Sequence, residues 1–280
     1  MVLTMVGVFV DVAVITVSPI ALAIAQKSGL TKTGILLAMV GGGKAGNIMS
    51  PNPNTIAAAD NLGVSLTSVM AAGIVPAIFG VIITCYLSNR LKNKGSYVEL
   101  NECKEEAEVL PSFLASIIGP LVTIILLSLR PIAGIAIDPL IALPVGGICG
   151  VIAMGKAKYL NKYATYGLGK MTGVAILLIG TGTLAGIISN SGLKDVIIQG
   201  INTLGLPNFA LAPVSGILMS AATASTTSGT AVGISVFGST IIGMGVSPLA
   251  TAAMIHVGAT VLDHLPHGSF FHATGSSVNM

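Results

Sequence analysis

The chain has 280 residues, of which 53% are hydrophobic and only 8% charged, with a mean hydropathy of +0.91. Soluble domains carry about 25% charged residues, so these side chains cannot cover a water-facing surface, and an integral membrane protein is expected. The net charge of +3 comes from residues placed mostly between apolar runs; no basic stripe interleaves with aromatics, which argues against nucleic-acid binding.

In chain order, the first apolar run covers residues 2–25, long enough for a hydrocarbon core that takes about 20 helical residues. It has no basic leader and is interrupted by Asp11, so it reads as a span and not as a cleavable signal. Further spans are expected at 68–87, 113–129 and 132–154, with a fifth at 171–188. Three shorter apolar pieces lie between 209 and 262, broken by Ser, Thr, Gly and Pro. The polar loop 89–111 holds Arg90, Lys92, Lys94 and Lys104, and the loop 155–170 holds Lys156, Lys158, Lys162 and Lys170. Such loops mark the cytoplasmic side, and the two intervening spans, joined by an outer Arg130-Pro131 turn, let both lie inside. The acidic run Glu99, Glu102, Glu105, Glu106 and Glu108 reads as a solvated loop or a short surface helix. Cys85, Cys103 and Cys149 have no metal-ligand spacing and no paired framework.

Two segments are too polar and too broken for ordinary spans: 41–55, with Gly41-Gly42-Gly43-Lys44 and Ser50-Pro51-Asn52-Pro53-Asn54-Thr55, and 220–230, rich in Ser and Thr. Lipid cannot satisfy free backbone N–H and C=O groups, so non-helical backbone at membrane depth belongs where it is buried in protein or lines a cavity. Gly63-Val64-Ser65 follows the first segment and Gly245-Val246-Ser247 the second, and both lead into small-residue helices, a weak internal repeat. Interrupted segments in matching positions of two halves point to a transporter's substrate site. The expected organisation is one transporter domain, cut at both ends: 1–88 as the first-repeat part, 89–111 a cytoplasmic loop, 112–170 connecting spans and a basic loop, and 171–280 the second-repeat part.

The candidate substrate ligands in the first segment are Ser50, Asn52, Asn54 and Thr55, neutral groups suited to reversible binding of a carboxylate and hydroxyls; an extramembrane loop with turn chemistry is the alternative. In the second they are Thr223, Ser225, Thr226, Thr227, Ser228 and Thr230, which could equally be glue between helices. Asp11 within an apolar run costs about 2.5–3.5 kcal/mol on insertion scales and is a candidate proton carrier, unless it lies near an interface. Asp263, His264 and His267 form a second candidate coupling group, with Asp263 orienting His267; a polar turn is the alternative. Metal binding has little support, because the His spacing is irregular and Pro266 breaks the helix that would align ligands. Lys44 in its glycine tract does not meet the nucleotide-loop spacing and either attracts an anion or snorkels to the interface. No cofactor is expected.

The ordered set Phe9-Val10-Asp11-Val12, Ser18-Pro19-Ile20-Ala21, Ser50-Pro51-Asn52-Pro53-Asn54-Thr55-Ile56-Ala57-Ala58-Ala59, the 223–230 hydroxyl run and the 258–270 stretch resembles the gluconate permease family of the ion transporter superfamily. The resemblance covers nearly the whole chain. It implies an all-α polytopic fold with inverted repeats and re-entrant or broken helices, and a homodimer in the lipid bilayer of the inner membrane. It also implies symport of a small organic anion with a proton, sodium being the alternative coupling ion. Asp11 stands where the family has the Glu of Phe-Phe-Glu. The family's Pro-Pro-His-Pro-Gly-Pro element loses its His at Ser50–Thr55, and its His-Val-Asn-Asp-Ser-Gly-Phe element keeps only the first His, at His264, and the final Phe, at Phe270. These departures point to an acid other than gluconate, such as the short hydroxy acid 3-hydroxybutyrate. The rival reading is a membrane-embedded enzyme using Asp and His for acid–base or metal chemistry, and a channel is a third.

Overall fold

A computed structural model describes residues 1–98, 111–133, 135 and 137–280. The acidic run, Cys103 and Lys104 lie outside the described residues. The described chain is all-helical, with fourteen α-helices and no strand. Two of its helical stretches are long and apolar enough to cross a membrane, Val10–Ser28 and Leu66–Leu91.

The chain forms two compact units, residues 1–104 with 178–280, and residues 105–177. The first unit begins with α1 (Val2–Met5) and α2 (Val10–Ser28). The single span expected over 2–25 is thus two helices, because Gly7 turns the chain with a φ of +97° that only glycine adopts without strain. Next come α3 (Lys32–Ile48), α4 (Pro53–Leu62), α5 (Leu66–Ala72) and α6 (Ile74–Leu91). The unit closes with α10 (Leu193–Thr203), α11 (Leu211–Thr223), α12 (Thr226–Gly243), α13 (Pro248–Ala259) and α14 (Ser269–Ser276). On α6, Val75, Ile78, Phe79, Ile82 and Ile83 are exposed, an apolar face that fits lipid and not water.

The second unit holds α7 (Phe113–Ala133) and α8 (Pro139–Ala153), which pack together. A Cβ on Gly119 would stand 2.9 Å from the carbonyl of Gly146, so glycine lets the two backbones touch. Helix α7 runs on to Ala133, so Arg130-Pro131 lies within its last turns and is not the expected turn. The boundary between the units falls inside α9 (Leu160–Ser189).

Both polar segments are broken, but over fewer residues than expected. Helix α3 continues through the glycine tract to Ile48, leaving a break at 49–52, and the second break is only Ala224 and Ser225. The glycines of α3 are a packing face. A side chain on Gly41 would overlap Thr84 of α6, one on Gly46 would overlap Thr4 of α1, and one on Gly43 would reach within 2.7 Å of Val10. Close contact outweighs the roughly 1 kcal/mol that glycine costs a helix.

Helices α11 and α12 fold back on each other as a hairpin. A Cβ on Gly229 would lie 2.7 Å from Ser220 Cα, and one on Gly233 would lie 3.8 Å from Gly216 N. Helix α3 packs against α2 and α6, whereas α4 packs against α12 and α13. The first break therefore redirects the chain from one helical neighbourhood into the one that holds the second break.

Candidate substrate and coupling site

The first break is organised around Asn52, which is fully buried. Its Nδ2 donates to Asn47 O (2.6 Å), Ser50 Oγ (2.7 Å) and Asn47 Oδ1 (3.0 Å). Its Oδ1 accepts from the backbone N–H groups of Asn54 (2.8 Å) and Thr55 (3.2 Å). Thr55 completes a reciprocal capping box by accepting from Asn52 N at 3.2 Å, and its hydroxyl donates to the carbonyl of Ser50. Ser50 Oγ donates to Asn47 O at 3.0 Å. Pro53 starts α4 where a missing N–H costs nothing. Asn52, Ser50 and Thr55 thus satisfy the backbone that the break releases, while Asn54 buries its Oδ1 without a partner.

The second break is thinner. Ala224 holds a left-handed conformation (φ 45°, ψ 40°), and Ser225 caps α12 by accepting from Ser228 N at 3.3 Å. Thr223 Oγ1 donates back to Met219 O at 2.8 Å, so its hydroxyl serves its own helix. Thr227 is buried. Ser228 Oγ and Thr230 Oγ1, in the opening turns of α12, are buried without hydrogen-bond partners, as are Thr251 Oγ1 and His256 Nε2 of α13. Buried polar atoms of this kind mark places where a ligand, an ion or water supplies the missing bonds.

An ion pair and a hydrogen bond, both made by Asp263, join the two segments. Lys44 of α3 pairs with Asp263, in the loop between α13 and α14, and its Nζ also donates to Thr260 O at 3.2 Å. Thr226, the first residue of α12, donates its hydroxyl to the other carboxylate oxygen of Asp263. The Phe270 ring lies 4.8 Å from Lys44 Nζ, a cation–π contact. Only 15% of the Lys44 side chain and 6% of the Asp263 side chain are accessible. His264 and Phe270, which touch the pair, also border a cavity of about 490 Å³ together with Leu36, Val40 and His272.

Two expectations need correction. Asp11 is not in mid-span: it sits, partly exposed, in the first turn of α2, accepts Val12 N–H at 2.9 Å and faces the positive end of the helix. His267 is exposed and does not meet Asp263; the histidine nearby is His264, whose Nδ1 lies 3.5 Å from Asp263 Oδ1. Pro266 and Gly268 turn the loop so that only the residue next to Asp263 stays beside it. Lys44, read from sequence as attracting an anion or snorkelling to the interface, is held by the buried carboxylate of Asp263. The signal for that pairing was available in principle, since a buried Asp263 requires a cation and Lys44 lies in the other broken segment.

Residues 115–204 match a family described as "Na+-H+ antiporter family". The whole chain is 66% identical to a protein of Haemophilus influenzae (strain ATCC 51907 / DSM 11121 / KW20 / Rd) named "Uncharacterized transporter", over 281 residues that make up 67% of that relative. No solved structure matches the chain. The chain is a helical membrane protein and belongs to the transporter family of this Haemophilus influenzae relative.

Proposed function

We propose that the protein is a secondary active transporter that carries a small carboxylate inward across the inner membrane together with a proton. The observation that carries this reading is the buried Lys44–Asp263–Thr226 linkage, which ties the last turns of α3, ahead of the first break, to the first residue after the second break through one cation and one protonatable group. Lys44 supplies the positive charge for an organic anion, and Asp263 the group that exchanges a proton. Asn54, Ser228 and Thr230 supply buried neutral groups for the hydroxyls of a sugar acid or a short hydroxy acid such as 3-hydroxybutyrate. In this reading the loops that carry the exposed Lys and Arg of 90–94 and 156–162 face the cytoplasm, as the bias of basic residues toward that side favours, and the transporter works as a homodimer.

The test is uptake of labelled gluconate and 3-hydroxybutyrate by the protein in proteoliposomes, with an imposed inward proton gradient. Accumulation that disappears when the gradient is collapsed supports the reading and ranks the two acids. No uptake of either acid overturns it.

A second reading, sodium–proton antiport, is favoured by the family match over 115–204. There Asp263 would alternate between a sodium ion and a proton. A sodium jump that drives protons across the membrane, with neither acid present, would select it.

A further inference from the structure

We infer that Lys44 is the anchor for the substrate carboxylate, and that Asp263 releases it by taking the co-transported proton, so that one monocarboxylate and one proton cross with no net charge. This rests on the carboxylate-symport reading above and adds its chemistry and its stoichiometry.

The groups facing the pair are few. Helix α3 brings Lys44, and the loop after α13 brings Asp263, the carbonyl of Thr260 and His264 Nδ1, 3.5 Å from Asp263 Oδ1. Helix α12 brings the hydroxyl of Thr226, and α14 brings the Phe270 ring. Among the described residues, no other charged side chain forms an ion pair with either member. The cation and the carboxylate therefore neutralise each other, and removing one partner leaves a buried, uncompensated charge, the costly condition.

The exchange balances atom by atom. A proton adds to a carboxylate oxygen of Asp263, and the ammonium–carboxylate contact breaks. The Lys44 ammonium keeps its three protons and its charge, and pairs with the incoming carboxylate. Afterwards the substrate leaves, Asp263 returns its proton to water on the other side, and the internal pair re-forms. The site is neutral in both end states. Binding the proton alone would leave Lys44 unpaired, and binding the anion alone would set two carboxylates on one ammonium. Either half-loaded state is penalised by burial, and this is what obliges the two solutes to travel together.

The pair is also connected to the second break. Asp263 holds the hydroxyl of the first residue of α12, at the hairpin tip. A carboxylic acid is a weaker acceptor than a carboxylate, so protonation slackens the grip on that tip as it frees Lys44. Two residues that touch the pair, His264 and Phe270, also border the cavity of about 490 Å³, so the approach of a small acid would pass by these two side chains.

The experiment uses the wild-type protein in proteoliposomes with labelled 3-hydroxybutyrate, the pH gradient and the membrane potential being set independently. An inward proton gradient at zero potential is expected to drive accumulation, and a potassium–valinomycin potential of either sign at zero pH gradient is expected to drive none. Accumulation driven by potential alone would overturn the inference while leaving carboxylate transport intact. No uptake under any condition would instead fail the functional reading, and the inference with it. Lys44→Gln is expected to raise KM at least about tenfold, the cost of a lost charge-assisted bond, and Lys44→Arg to restore most of it. An unchanged KM in Lys44→Gln would refute the anchor. The wild-type charge measurement decides the stoichiometry even if a variant fails to fold.

Discussion

The two helix breaks are made of similar small polar residues, but they use their hydrogen bonds in opposite ways. At the first, Asn52 occupies its amide nitrogen and oxygen with the backbone and side chains of its own segment. At the second, Ser225 caps the helix, Thr226 is given to a residue 37 positions away, and Ser228 and Thr230 bury hydroxyls with no partner. At the first break Asn52, Ser50 and Thr55 form a bracket that fixes where α4 starts, with Asn54 Oδ1 left unpartnered. The second leaves its polar groups open to something outside itself. Polar composition alone does not distinguish a structural cap from a binding element; the hydrogen-bond ledger does.

The largest expected effect comes from the linkage between the breaks. Lys44→Met alone should cost about 3–5 kcal/mol, because it strands a buried carboxylate, and the double variant with Asp263→Asn should recover most of that loss. Thermal unfolding in detergent across the four-member cycle measures it, and additive losses would show that the two residues do not form a unit. Next, Asn52→Ala should cost about 3 kcal/mol, combining a lost cap with backbone N–H groups left unsatisfied. A loss below about 1 kcal/mol would mean that the first break is not the self-contained bracket described here.

Ala224→Gly should stabilise the second break by about 1 kcal/mol, since alanine holds a left-handed conformation that glycine adopts freely. A lowered melting temperature would contradict that account of the tip. The smallest expected effect on stability, and the sharpest contrast with Asn52, is Thr230→Val. Its hydroxyl has no partner, so melting should change by less than about 0.5 kcal/mol while transport KM rises. A large stability loss with unchanged transport would make Thr230 a packing residue like Thr223.

Much of this arrangement was legible in the sequence. Composition required a membrane protein, the apolar run lengths pointed to helical spans, and Pro51 and Pro53 located the first break because proline disrupts a helix. The Ser and Thr run located the second. The widths of the breaks were not legible. The glycines of 41–46 read as non-helical by propensity, yet they are helical because α1, α2 and α6 approach where no side chain intervenes. Asp11 looked like a mid-membrane charge because hydropathy does not register the turn at Gly7. Lys44 and Asp263 are 219 residues apart, and no local pattern carries such a contact. It could be reached only by asking which cation answers a buried carboxylate.

Protonation of Asp263 couples the anion to the proton in the proposed cycle. The most direct measurement sets two assays on Asp263→Asn side by side: exchange of labelled for unlabelled 3-hydroxybutyrate without any gradient, and accumulation under an inward proton gradient. The neutral amide mimics the protonated acid and leaves Lys44 free, so exchange should persist while accumulation falls to the equilibrium ratio of one. Gradient-driven accumulation in Asp263→Asn at the wild-type level would contradict the account.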